Sequence, residues 1–232
     1  MGCPCVRVSG AGTGPVRRVR DAGVGIVVPG DWWTVPLEED DARARAVTAL
    51  VASRFGHADA NPGLKRQVRN EVLAGAQRAA AAGGWVMAMM LTRAGPVSLP
   101  ATMTAYRVAG SFDTDGGVRA VQEPLTASLP PGGCVDAGEG VFGLVLRAVR
   151  ERPGPTAWGE ADRPVLVCEY WSDPADGQGL VNLMFSTPLV DLRDGFVDLF
   201  DAIAGSLYRL DDAADPTDRD SETSPWAALE EA

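Results

Sequence analysis

Histidine, lysine and cysteine are nearly missing: the 232 residues include one histidine, one lysine and four cysteines. With His57 alone, set in a linker running from Phe55 to Pro62, a Ser-His-Asp or Cys-His arrangement has no well-placed base, and His57 reads as a solvated linker residue. Cys3, Cys5, Cys134 and Cys168 show no Cys-x-x-Cys zinc spacing and are too few for a disulfide framework. Positive charge is in deficit too. The 21 Lys and Arg against 31 Asp and Glu leave a net charge of −10, the wrong balance for gripping phosphates, which argues against a nucleic-acid partner. Long apolar runs are absent: the longest uncharged stretches, Ala79 to Thr92 and Gly177 to Val190, have 14 residues each. A bilayer span needs roughly 18. The opening Met-Gly-Cys-Pro-Cys lacks the apolar stretch of a secretory signal, and Val6 stands where a myristoylation motif requires Ser or Thr. The expectation is a cytoplasmic protein without membrane insertion.

What the chain does have is a core and two charged ends. Apolar residues make up 46% of it, enough to exclude global disorder. Residues 1–20 carry four arginines and no acid, and residues 211–232 carry eight acids against Arg219. Both ends are poor in large apolar side chains, so 1–21 and 211–232 read as disordered basic and acidic tails around one domain at 22–210.

Within that domain, Gly23 to Val28 and Trp32 to Leu37 flank Pro29-Gly30 and predict an opening hairpin. Acids at 38–41 precede Val47, Leu50, Val51 and Phe55 at helical spacing, and read as a helix N-terminus rather than a metal site. Asn61-Pro62 starts a second, alanine-rich helix ended by Gly83-Gly84. The period then turns to two, with strands expected at 85–91, 99–108, 118–123, 141–149, 164–171 and 180–186. A long terminal helix follows from Leu189 to Leu207. The sum is an α+β fold, a single antiparallel β-sheet with helices packed on one face and a long C-terminal helix.

Chemistry-bearing motifs fail one by one. Gly10-Ala-Gly12-Thr-Gly14 lacks the preceding strand and the Gly-Lys-Ser of a phosphate loop. Asp113-Thr-Asp115-Gly116 begins like a calcium loop, but Pro124 occupies the position of the bidentate glutamate. No catalytic set, metal or cofactor is expected.

Aromatic and methionine side chains remain. Trp32 and Trp33 are adjacent in a strand and must take opposite faces, as must Tyr170 and Trp171. With Met89, Tyr106 and Trp158 they form a candidate protein-binding set on the sheet's second face, or else a minor core beneath the loop from Gly110 to Gly140.

Two stretches carry a resemblance. Glu169-Tyr-Trp is followed by Gly179-Leu-Val-Asn-Leu-Met-Phe-Ser-Thr-Pro188 and a helix through Phe200-Asp-Ala-Ile-Ala-Gly-Ser-Leu207, and the domain opens on Val27-Val-Pro-Gly-Asp-Trp32-Trp. These resemble the PsbP-like fold family, shared by plant photosystem accessory proteins, a Ran-binding nuclear import factor and several bacterial families. The resemblance implies a non-enzymatic scaffold that binds another protein, as an adaptor or chaperone, with some bacterial relatives serving secreted effectors. Two alternatives stand beside it. One is a small-ligand carrier or enzyme with a site between sheet and loop around Glu169, Arg147 or Asp173, and the other is a structural subunit of a homo-oligomer.

Overall fold

A computed structural model of the chain describes residues 16–21, 23–55, 62–90, 92–94, 97–154 and 163–210. The acidic segment 211–232, most of the basic leader, Cys3, Cys5, His57 and Trp158 lie outside the described residues. The elements run β1 (Val16–Arg20), β2 (Val24–Pro29), β3 (Trp32–Pro36), α1 (Asp40–Phe55), α2 (Pro62–Ala81), β4 (Gly84–Met90), β5 (Arg93–Ala94), β6 (Val97–Ser98) and β7 (Ala101–Val108). They continue through α3 (Gly117–Ala127), β8 (Cys134–Gly140), β9 (Gly143–Pro153), β10 (Pro164–Ser172), β11 (Leu180–Thr187), α4 (Arg193–Ala204) and β12 (Tyr208–Arg209).

The expected single sheet is not what forms. Seven strands pair antiparallel in the order β3-β4-β7-β11-β10-β9-β8, a separate three-stranded sheet has the order β1-β2-β12, and β5 and β6 make a small hairpin. The opening hairpin is corrected with it: β2 and β3 are consecutive, yet they belong to different sheets. Val24, Ile26 and Val28 are buried on the apolar face of β2, while β1 and β12 take its two hydrogen-bonding edges. β3 instead pairs with β4, which follows both long helices. The basic leader is thus part of the fold from Val16 onward, because its backbone completes the pairing of β2.

Helices cover both faces of the large sheet, against the expectation of one. On one face, Val35 and Met87 meet Val47 of α1 and Ala76 and Ala79 of α2. The small alanines let α2 approach the strands closely. On the opposite face, α4 and the small sheet bury Met103, Cys168, Tyr170, Leu183 and Phe185. Phe200 of α4 stacks on Phe185 with ring centroids 4.6 Å apart, and Tyr170 meets Phe185 edge-on at 5.6 Å.

The C-terminal helix is shorter than its apolar period suggests. After Pro188 the chain makes a 3-10 turn at Val190–Leu192, so α4 has only 12 residues and Leu207 is buried beyond its end. The stretch expected as a strand at 118–123 is helical. Val118, Val121 and Leu125 recur at helical spacing, and a Cβ on Gly117 would strike the carbonyl oxygen of Ser111, so only glycine fits the tight start of α3.

Buried ion pairs tie these layers together. Under α4, Asp201 accepts hydrogen bonds from the Tyr170 hydroxyl at 2.6 Å and from Arg147 at 2.7 Å, and Arg147 also reaches Asp136 at 3.0 Å. Burial works against the Arg147 charge, and the bonds to Asp136 and Asp201 outweigh it, holding the guanidinium above its ordinary value. Arg107 at the end of β7 joins Asp21, beside the small sheet, to Asp176 in the β10–β11 connection, at 2.6 and 2.7 Å.

Candidate functional site

Register places four of the seven aromatic and methionine candidates on one face. Trp33, Met89, Thr102 and Ser186 are successive cross-strand neighbours, followed by Val167 and Arg150. The next row on that face is Val35, Met87, Thr104, Met184 and Glu169, and the third is Tyr106, Asn182 and Trp171. Strand alternation makes this inevitable once the pairing is set.

This face is covered unevenly. α1 and α2 roof its β3–β4 end, where the Trp33 indole donates to the Ala46 carbonyl at 3.2 Å. Between those helices Met89 floors a recess of about 380 Å³ walled by Leu50, Val51, Phe55, Val68 and Val72, with Arg54 as its one charged lining residue. Away from the helices, Thr102, Thr104, Trp171, Met184 and Ser186 are all only half-buried, and Tyr106, half-buried as well, packs against the helix-covered cluster. The Thr102 and Ser186 hydroxyls are bonded to each other at 2.7 Å. At the far edge, Glu169 is 4% exposed and accepts from Arg150, while Arg150 Nη1 and Trp171 Nε1 are buried without a hydrogen-bond partner among the described residues. A buried donor left unpaired is costly, so these two N–H groups are local weak points of the packing at this end of the face.

Trp32 and Tyr170 lie elsewhere. Both face α4 and the small sheet, 1% and 2% exposed, and are core. Trp158 lies outside the described residues. The trio considered for a small-ligand or catalytic site does not converge. Arg147 faces α4, Glu169 faces the opposite side, and Asp173 beyond them accepts from the Ser111 hydroxyl and the Phe112 and Ala175 amides. Burial, reinforced by the Asp201 charge, pushes the Cys168 thiol up to about 12, which leaves it a poor nucleophile. Among the described residues no group of three or more His, Cys, Asp or Glu side chains is placed to hold a metal ion.

Sequence reasoning missed Met184, Thr102, Thr104 and Ser186. A signal was present: in β11, Val181, Leu183 and Phe185 alternate with Asn182, Met184 and Ser186, so the second set marks the less apolar face. No family model, curated protein or solved structure matches this chain.

Proposed function

We propose that the protein is a non-enzymatic protein-binding module, an adaptor or chaperone of the cytoplasm, that receives a segment of its partner on the open part of the large sheet. The observation that carries this reading is the half-buried set Met89, Tyr106, Trp171 and Met184 on one face, with a largely apolar recess beside Arg54 at one end. Methionine adapts to varied side chains and aromatics supply large contact area at low entropic cost, which suits recognition better than a packed interior. The chemistry asked of the partner is a largely apolar segment that enters the recess and lies along the half-buried face.

The test begins with capture of a partner from native lysate and its identification, followed by calorimetry with both proteins purified. Ser186→Arg puts a long charged side chain in the middle of the open face without touching the core. Affinity is expected to fall at least about tenfold, with the melting temperature lowered by no more than the loss of the Thr102–Ser186 hydrogen bond entails. Binding that survives both Ser186→Arg and Thr104→Arg places the interface elsewhere and ends this reading.

A further inference from the structure

β1 is an edge strand, paired only with β2 among the described residues. Its sequence is Val-Arg-Arg-Val-Arg, with Arg17, Arg18 and Arg20 exposed and Val16 58% exposed. Arg17 bonds the Thr34 hydroxyl, and among the described residues none of the three arginines has an acidic partner. Open edges in folded proteins are ordinarily blocked or covered, because their free N–H and C=O groups recruit another strand. Here the edge is basic.

The two ends of β1 meet different surroundings. Arg20 lies opposite Gly25, which is also the partner of Tyr208 in β12. The described chain ends beside it, with the Leu210 amide bonded to the Gly23 carbonyl at 3.0 Å. At the other end, Val16 lies opposite Pro29, and Pro29 is on the rim of an apolar pocket of about 410 Å³. Trp32, Met90, Leu99, Phe196 and Leu199 form its walls. Its polar groups, Asp31 and Thr92, are spent on each other, so the pocket is built for an uncharged apolar group.

We propose that the segment 211–232 of this chain runs antiparallel along β1 and seats Trp226 in this pocket. The segment carries eight acids against one arginine, and its only large apolar residues are Trp226 and Leu229. It leaves the fold at the Arg20 end, so its early acids, from Asp211 onward, meet the arginines before the tryptophan reaches the pocket. Reach is ample: β1 spans about 17 Å, and the stretch from Asp211 to Pro225 extends up to roughly 50 Å. The contact blocks the edge and covers the pocket. Being held largely by exposed charge, it is released by salt. It lies on the α4 side of the large sheet, opposite the proposed partner-binding face, and stands or falls independently of it.

Nuclear magnetic resonance of the full ¹⁵N-labelled chain tests this, with a synthetic peptide of residues 211–232 as the free reference. In about 0.01 M salt, where charges act over roughly 30 Å, the Trp226 amide and indole signals are expected well away from the peptide positions. They return to them in about 1 M salt, where the range shrinks to roughly 3 Å. The same return is expected at low salt in the triple variant Arg17→Glu, Arg18→Glu, Arg20→Glu and in Leu192→Asp, which alters a pocket-rim residue that is 50% exposed and outside the core. Trp226 signals that coincide with the free peptide in the unaltered chain at low salt overturn the proposal. So do shifted signals that disappear on dilution, since the occupant is then the segment of a second copy.

Discussion

Asp173 shows how much one side chain can organise. It is buried at the end of β10 and accepts from the Ser111 hydroxyl at 2.7 Å, the Phe112 amide at 2.6 Å and the Ala175 amide at 2.8 Å. One carboxylate thereby joins the chain leaving β7 to the turn leaving β10. Burial alone raises its proton affinity, but the three hydrogen bonds, led by Ser111, outweigh it and hold the carboxyl below its ordinary value. A depressed carboxyl stabilises the fold above its unfolded pKa, and this stabilisation is lost as the pH falls through the native value. Urea titrations of the unaltered chain and Asp173→Asn should therefore differ clearly at neutral pH. The gap should close as the pH drops below about 4. A gap of constant size across that range would show that the Asp173 charge contributes nothing.

Among elements, α4 is decisive although it is short. Phe196, Phe200 and Ile203 enter the core on one side, and Asp201 meets Tyr170 and Arg147 on the same side. Phe200 stacks on Phe185 and meets Phe196 at a tilt, so truncation leaves a cavity that the rigid sheet cannot close. Phe200→Ala is expected to cost about 3–5 kcal/mol in urea unfolding, with the slope unchanged. Leu192→Ala, at the exposed turn before the helix, should stay within about 0.5 kcal/mol. Equal effects at the two positions would mean that α4 is not packed as described. The contrast matters because both leucine and phenylalanine belong to the same helical period, and the period cannot tell a core position from a rim position.

For the whole molecule, the end of the basic leader bears on the small sheet. β1 supplies one of the two hydrogen-bonded neighbours of β2, whose Val24, Ile26 and Val28 are fully inside the core. Removing residues 1–20 exposes that edge of β2, an apolar strand with free backbone groups. The shortened protein should melt earlier and scatter light at concentrations where the full chain stays clear. A shortened protein that remains monomeric with the original transition would show that β1 adds nothing to the fold. The net charge of −10 is not a uniform coat: 211–232 carry eight acids against one arginine, and three arginines line the edge of β1.

Local patterns were enough to locate most elements and to orient neighbouring side chains. The apolar spacing of α1, the proline start of α2, and the alternation in β7 and β11 are readable because helical and extended backbones impose their own periods on adjacent residues. For the same reason Trp32 and Trp33, and Tyr170 and Trp171, had to part to opposite faces. Pairing and cover are different. That β2 leaves its sequence neighbour for β1 and β12, that 118–123 winds into α3, and that helices roof both faces depend on partners tens of residues away, which no local window contains. The tertiary structure alone decided that Trp32 and Tyr170 are core while Met89, Tyr106 and Trp171 share the opposite face with Met184, half-buried and only partly roofed. Burial is a property of what packs above a side chain, and here that cover comes from α4 on one side and only partly from α1 and α2 on the other.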